Sequence, residues 1–207
     1  MRQLGILGAS GHGRVVADAA LLAGWQSVAF FDDAWPGISA IGPWVVVGTT
    51  AELLRNINRF DGAVVAIGEN ATRLTKQRGL RRGGVVLASV VHPAAVISPF
   101  AEVGEGSVIL ANAVVNPFAR LGSGCILNTG ATVDHDCQLA DGVHVSPGAH
   151  LGGGVRVGEA GWIGIGASVI QGVSIGAGAT VGAGAAVVDD VADGVTVVGV
   201  PARPVRC

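Results

Sequence analysis

The sequence of 207 residues has no tyrosine, and tryptophan and phenylalanine together supply only 4% of it. Charge is equally sparse. Charged residues make up 14%, and 15 acids against 13 Lys and Arg leave a formal net charge of -2. That balance carries no electrostatic footprint for nucleic acid. The basic run "RGLRRGG" over 78–84 is too short to supply one and reads as a solvated helix end. Cysteine is scarce, with Cys125, Cys137 and Cys207 odd in number and without CxxC spacing, which argues against a disulfide framework and against a zinc knuckle. No apolar run approaches the eighteen or so residues of a membrane-spanning helix. The opening "MRQLGILGAS" has neither the apolar stretch nor the cleavage site of a signal peptide. The expectation is a soluble, cytoplasmic protein with neither a membrane nor a nucleic acid as partner.

Glycine is abundant instead, at 34 residues, and half the chain is hydrophobic. No strict three-residue glycine period appears, so the composition suggests a turn-rich repeat other than collagen. A search for that repeat settles the second half of the chain. From Ile97 to Val187 every sixth residue is Ile, Leu or Val, sixteen positions in succession. Four residues after each, from Ala101 to Val191, lies a small or β-branched residue, Cys125 and Cys137 among them. A period of six fits neither an α-helix nor a simple alternating strand. It fits a solenoid in which each hexad is one short strand and one turn, and three hexads close a triangular coil. The aliphatic residue points inward, the small one fills the corner, and coils stack about 4.8 Å apart, so residues eighteen apart lie above one another. A thiol at such a corner serves as a slightly larger alanine.

Before residue 93 that frame is absent. Short apolar runs at 3–9, 27–33, 62–68 and 85–93 alternate with helical patterns at 13–25, 49–57 and 70–80, the second capped by Thr49 or Thr50. Alternation of this kind predicts a small parallel sheet. The fold class expected is therefore an α/β Rossmann-like domain over 1–92 followed by an all-β, parallel β-helix domain over 93–207. The first strand runs into "GASGHG", Gly8 to Gly13, where glycines let backbone N–H groups approach a phosphate at a helix start. The order G-x-x-G-x-G departs from the dinucleotide fingerprint, and a tight packing turn is the other reading. Asp32 and Asp33 end the second strand, as residues that bond a ribose or base or as a solvated turn, and Gly68 ends the third. Together these strand ends form one binding crevice for a nucleotide.

The stretch "NTGATVDHDCQLADGVHVSPGAHLGG" carries His135, His144 and His150 among small apolar residues. None takes an inward aliphatic position of the hexad, and His144 and His150 fall at turns or outward faces. Gly153, eighteen residues beyond His135, stacks beside it with a free backbone N–H. Histidine titrates near neutrality and suits general base catalysis. A three-histidine metal site of the gamma carbonic anhydrase kind needs ligands spread over more than two coils, whereas these span less than one, so no metal is expected.

The motifs "GASGHGRVV", "FFDD", "AIGEN", "HPAAVISP", "NTGATVDHDC", "HVSPGAHLGG" and "VVGVPARPV" together resemble the sugar O- and N-acetyltransferases of the NeuD/PglD type, which are hexapeptide-repeat, left-handed β-helix acyltransferases. The resemblance covers nearly the whole chain and is nearest to the N-acetyltransferases of UDP-linked 4-amino sugars. It implies a left-handed β-helix, acetyl-CoA as co-substrate without metal, a nucleotide-sugar acceptor, and a homotrimer with each active site between two chains. His135 matches the general base and Asp136 the acid that orients it, although Asp134 flanks the ring as well. His144 and Ile165 match acetyl-CoA contacts, and Gly153 is a candidate donor near the thioester. Ser10, Gly11, His12, Asp32, Asp33 and Gly68 match nucleotide-sugar contacts.

Overall fold

The computed structural model describes residues 2–205, so Cys207 lies outside them. Strands β1 (Gln3–Leu7) and β2 (Ser27–Phe31) and helix α1 (Gly11–Leu22) begin the chain. A two-stranded hairpin, β3 (Ala40–Ile41) and β4 (Trp44–Val45), follows. Helix α2 (Thr50–Arg55), strand β5 (Gly62–Val65) and helix α3 (Asn70–Arg82) complete the α/β unit. The main sheet is parallel in the order β2-β1-β5, with Leu87 bridged to Ala63 at its edge. Local chemistry sets the helix starts. Thr49 and Glu52 form a reciprocal capping box on α2. The Glu69 carboxylate accepts from the Ala71 and Thr72 N–H groups at the start of α3.

The rest is a left-handed parallel β-helix with three faces, built of two-residue strands. Strand pairs are in register at eighteen residues, as in Thr132 beside His150 and Val133 beside Leu151. Inside, Leu127, Val133, Val145 and Ile163 are wholly buried, with Cys125 and Cys137 at the corners. Both thiols donate to a backbone carbonyl of the next coil, Cys125 to Ala140 and Cys137 to Gly152. Burial pushes the Cys125 thiol up to about 12, which makes it inert.

Two sequence expectations shift. Within the run 85–93, Val90–Val91 pairs with Val108–Ile109 and opens the β-helix, while only Leu87 joins the α/β sheet. Val191, expected at a small-residue corner, instead bridges Ile175 at an aliphatic position. The final coil runs two residues short, since Val181 pairs with Val197, so the frame slips after Val187.

The α/β unit roofs one face. Outward residues Val90, Val108 and Ile126 of that face are buried under Val16, Ala17 and Ala20 of α1. Helix α3 runs along the adjoining edge. Asn70 donates to the Ala160 carbonyl, Arg73 to those of Gly142 and Gly124, and Gln77 to that of Glu105. Each turn of α3 meets one coil because the helix pitch of about 5.4 Å nearly equals the coil spacing of about 4.8 Å. The second face presents Glu102, Arg120, Gln138, Arg156 and Ser174 outward. The third presents Val96, Val114, Thr132, His150, Ser168 and Ala186, with no formal charge except on a protonated His150.

Candidate active site

His135 lies in the turn between the charged and uncharged faces, opposite the roofed one. Its Nδ1 is 2.7 Å from an Asp136 carboxylate oxygen. Asp134 does other work, accepting the His135 backbone N–H at 2.8 Å and the Asn116 amide at 2.8 Å. The acid left undecided by sequence is therefore Asp136 by contact. Asp136 reaches the ring because its backbone is left-handed, with φ 59, a conformation Asp tolerates better than most residues. With Nδ1 held by Asp136, Nε2 remains for an incoming proton. The Asp136 hydrogen bond, and then the Asp134 charge, raise the imidazole above its ordinary value of 6.5.

Gly153 lies one coil beyond, as the eighteen-residue step requires. A methyl group there would come 2.6 Å from His135 Cε1 and Nε2. The imidazole therefore rests on the glycine backbone. The Gly153 carbonyl accepts from Gly172, while its N–H has no backbone acceptor among the described residues. It is free to donate to a developing oxyanion.

The crevice residues gather on the far side of the prism, at the carboxyl ends of β1, β2 and β5. Gly8 has φ 118, and a Cβ there would meet the Ala66 carbonyl at 2.7 Å. A Cβ on Gly13 would meet the Gly8 carbonyl at 2.3 Å. Gly11 faces open space, and Ser10 caps α1 without using its hydroxyl. The two acids have partners within the chain: Asp32 accepts from Ala9 and Ala34 N–H, and Asp33 accepts from Thr50 N–H and pairs with Lys76. They shape the loops as well as being available at the rim. Gly68 has open space where a side chain would be.

His144 departs from the simple outward position expected of it. It points out of the coil but is only 6% exposed, because the α/β unit covers it. Its ring lies 4.4 Å from the Trp162 ring and 6.5 Å from that of His12. Burial, then the Arg73 charge, lower His12 to about 4 and His144 to about 3, so both are neutral at pH 7. Asn128 Nδ2 approaches His144 Nε2 at 3.3 Å. Ile165 is exposed at another corner, and the His150 ring on the uncharged face lies 2.9 Å from the Thr132 hydroxyl. His135 thus stands apart from the cluster of His12, His144 and the crevice loops. No group of three or more potential metal ligands occurs among the described residues.

The sequence reading passed over Asn116, Asn128, Trp162 and Arg73. The repeat itself points to two of them, since Asn116 precedes Asp134 by one coil and Trp162 follows His144 by one.

Comparison with known proteins agrees with this architecture. Residues 3–80 match the PglD N-terminal domain. The acetyltransferase domain of PglB from Neisseria gonorrhoeae in complex with acetyl coenzyme A is 43% identical over 99% of both chains, with a TM-score of 0.94. A histidine-to-alanine mutant of GDP-perosamine N-acetyl transferase from Caulobacter crescentus, in complex with CoA and GDP-perosamine, is 37% identical over 100% of this chain and 98% of that one, with a TM-score of 0.95. UDP-N-acetylbacillosamine N-acetyltransferase of Bacillus subtilis is 38% identical over 113 residues, 54% of this chain, and the match spans about half (52%) of that curated relative. The chain belongs to the NeuD/PglD-type sugar acetyltransferases.

Proposed function

We propose that the protein transfers an acetyl group from acetyl-CoA to the 4-amino group of a nucleotide-linked amino-deoxy sugar, a UDP-linked one, for glycan synthesis. His135 is the general base. The single observation that carries this is the Asp136–His135 pair, with Nδ1 engaged at 2.7 Å and the ring edge laid on Gly153. As the sugar amine attacks the thioester carbonyl, His135 Nε2 takes the amine proton. The Gly153 N–H supports the oxyanion. Collapse of the tetrahedral intermediate expels CoA thiolate, which receives a proton from the imidazolium. The thioester is already activated, so positioning, deprotonation and oxyanion support suffice.

Two features favour a homotrimer with active sites between chains. His135 and the crevice lie on opposite sides of one prism, so a second copy is needed to bring them together. The face with no acid, Lys or Arg at its outward positions is suited to burial against copies of itself, unlike the face carrying Arg120 and Arg156. His144 and Ile165 of one chain then complete the acetyl-CoA cleft beside His135 of the next. Ser10, Gly11, His12, Asp32, Asp33 and Gly68 hold the nucleotide sugar. The enzyme works in the cytoplasm, on soluble substrates.

The test is release of free CoA from acetyl-CoA with UDP-, GDP- and CMP-linked 4-amino sugars and with hydroxyl acceptors. The UDP-linked amine is expected to react best. His135→Ala should lower kcat by roughly 10²–10⁴, the usual range for a lost general base, with assembly intact. Turnover restricted to hydroxyl acceptors, or unchanged in the variant, would overturn the reading.

A further inference from the structure

Arg73 is wholly buried and heads the buried side chains by size, yet it forms no salt bridge among the described residues. All five of its N–H groups are nonetheless engaged. Nε donates to the Gly124 carbonyl at 2.8 Å. Nη1 donates to the carbonyls of Ile67 and Gly68, each at 3.0 Å. Nη2 donates to Asn70 Oδ1 at 2.8 Å and to the Gly142 carbonyl at 2.6 Å. One planar fork therefore joins the loop after β5 to two successive coils of the β-helix.

A buried guanidinium whose direct hydrogen-bond partners are all neutral is costly to hold, and here only the Glu69 charge, outside hydrogen-bond contact, offsets it in part. A lysine could not replace it, since three rotating donors cannot meet five fixed acceptors. A hydrophobic residue would fill the space more cheaply. The location suggests what the charge does. The Gly68 loop is one of three strand ends that form the crevice, and the N-terminus of α1 adds its own partial positive charge there. Glu69, the nearest acid in sequence, caps α3 through the Ala71 and Thr72 N–H groups and is exposed to solvent, so its charge offsets that of Arg73 only in part. Within the cluster, His12 and His144 are held neutral by burial first and the Arg73 charge second, so neither adds a cation of its own there.

We infer that Arg73 is a positioning residue for the nucleotide-sugar half-site: it pins the Ile67–Gly68 loop to the coils and leaves an incompletely offset positive charge behind the crevice, which the diphosphate of the substrate meets. This rests on the nucleotide-sugar reading above. Arg73 does not touch the substrate, since every donor is already used. It acts through the loop it fixes and the field it sets.

Asn70→Asp tests this without removing the fork. It sets a carboxylate beside the fork and cancels the charge, at the cost of the bonds that Asn70 Nδ2 donates to the Ala160 and Gly161 carbonyls. Asn70→Leu, which loses those bonds without adding a charge, is the control and should bind the diphosphates more tightly than Asn70→Asp. The probes are UDP and GDP, titrated calorimetrically into the intact protein, alongside steady-state kinetics. Their affinity should fall about tenfold, and KM for the nucleotide sugar should rise by a similar factor. KM for acetyl-CoA and kcat should stay within about twofold. The NMR titrations of His12 and His144 should move upward while amide exchange around both rings stays as slow as in the parent, a combination that loosening of the fold would not produce, since burial is the larger cause of both depressions. Should Asn70→Asp not fold, Arg73→Met carries the test through the same loss of diphosphate affinity and the same histidine shifts. Wild-type affinity for UDP and GDP in a folded variant overturns the inference. Failure of the wild-type protein to bind either diphosphate would count instead against the nucleotide-sugar reading on which it rests.

Discussion

Gly153→Ala adds one methyl group against the edge of the His135 ring. The backbone at Gly153 lies outside the left-handed region, so alanine introduces no conformational strain, and the loss of chain freedom in the unfolded state favours the folded protein by about 0.4–1 kcal/mol. The added carbon would lie 2.6 Å from both Cε1 and Nε2, where ordinary contact begins at 3.4 Å. Something must yield by close to an ångström. The ring is exposed and hinged at its own Cβ, so it moves, and the coil does not. Moving it stretches the 2.7 Å bond to Asp136 and carries Nε2 away from the approaching amine. A displacement of about 1 Å costs on the order of 100-fold in rate. The assay is CoA release under saturating substrates, with thermal denaturation as the control on folding. The expected result is kcat lowered about 100-fold, KM values nearly unchanged, and a melting temperature equal to or slightly above the parent. Full activity in a variant that melts normally would refute the reasoning, because the ring would then have had room that the structure denies it.

Asp136→Asn retains a residue that accepts the left-handed backbone but weakens the carboxylate hydrogen bond that does most to raise His135, so the acid limb of the kcat/KM profile should move to lower pH while the plateau falls about tenfold or more. A limb that stays in place would mean another group sets it. Ser168→Asp puts a charge on the uncharged face, and light scattering should show a smaller particle with activity lost in parallel; unchanged mass and rate would exclude that face as the contact. Leu127→Ala empties a fully buried position inside the prism and should lower stability by about 2–5 kcal/mol in denaturant titrations, with no effect expected on substrate KM. His12 and His144 have native values depressed to about 4 and about 3, so the unfolded chain takes up protons first as pH falls below 6.5. Stability present above 6.5 is then lost progressively down to about 4 for His12 and about 3 for His144, by about 2 kcal/mol from each ring at pH 5. His135 acts with the opposite sign, its contribution being present at low pH and lost as pH rises through its raised value. Urea midpoints equal at pH 7.5 and pH 5 would contradict the burial of the two rings.

How much of this was legible in the sequence follows from what a repeat encodes. A hexad frame states which side chains point inward and which residues share a column, so the β-helix, the buried cysteines and the contact of His135 with Gly153 all follow from counting. It is silent on which outward face another domain will cover. His144 was therefore legible as outward but not as buried, because its cover comes from His12 on α1, far away in the chain. The choice between Asp134 and Asp136 depended on one positive φ and on Asn116 occupying the other acid, and neither is visible in a local window. Arg73 sits in a polar helical run whose spacing looks solvated. Only the match between helix pitch and coil spacing turns that flank inward. The slip after Val187 has a similar origin, since the column assignment of Val191 depends on a two-residue shortening that apolar spacing alone does not mark.

The junction between the two halves has a consequence of its own. Leu87 still bridges the first sheet and Val90 already belongs to the second, leaving Ala88 and Ser89 between them. Both are tethered, Ala88 through its N–H to the Ala63 carbonyl and Ser89 through its hydroxyl to the Gly104 carbonyl and the Ser107 N–H. The link between the halves is thus two residues long and hydrogen-bonded at both, which leaves little chain free to bend. In the trimer proposed above, an acceptor seated in the crevice would then have to span a fixed gap to the next chain, so acceptors would be sorted by length before any chemistry begins.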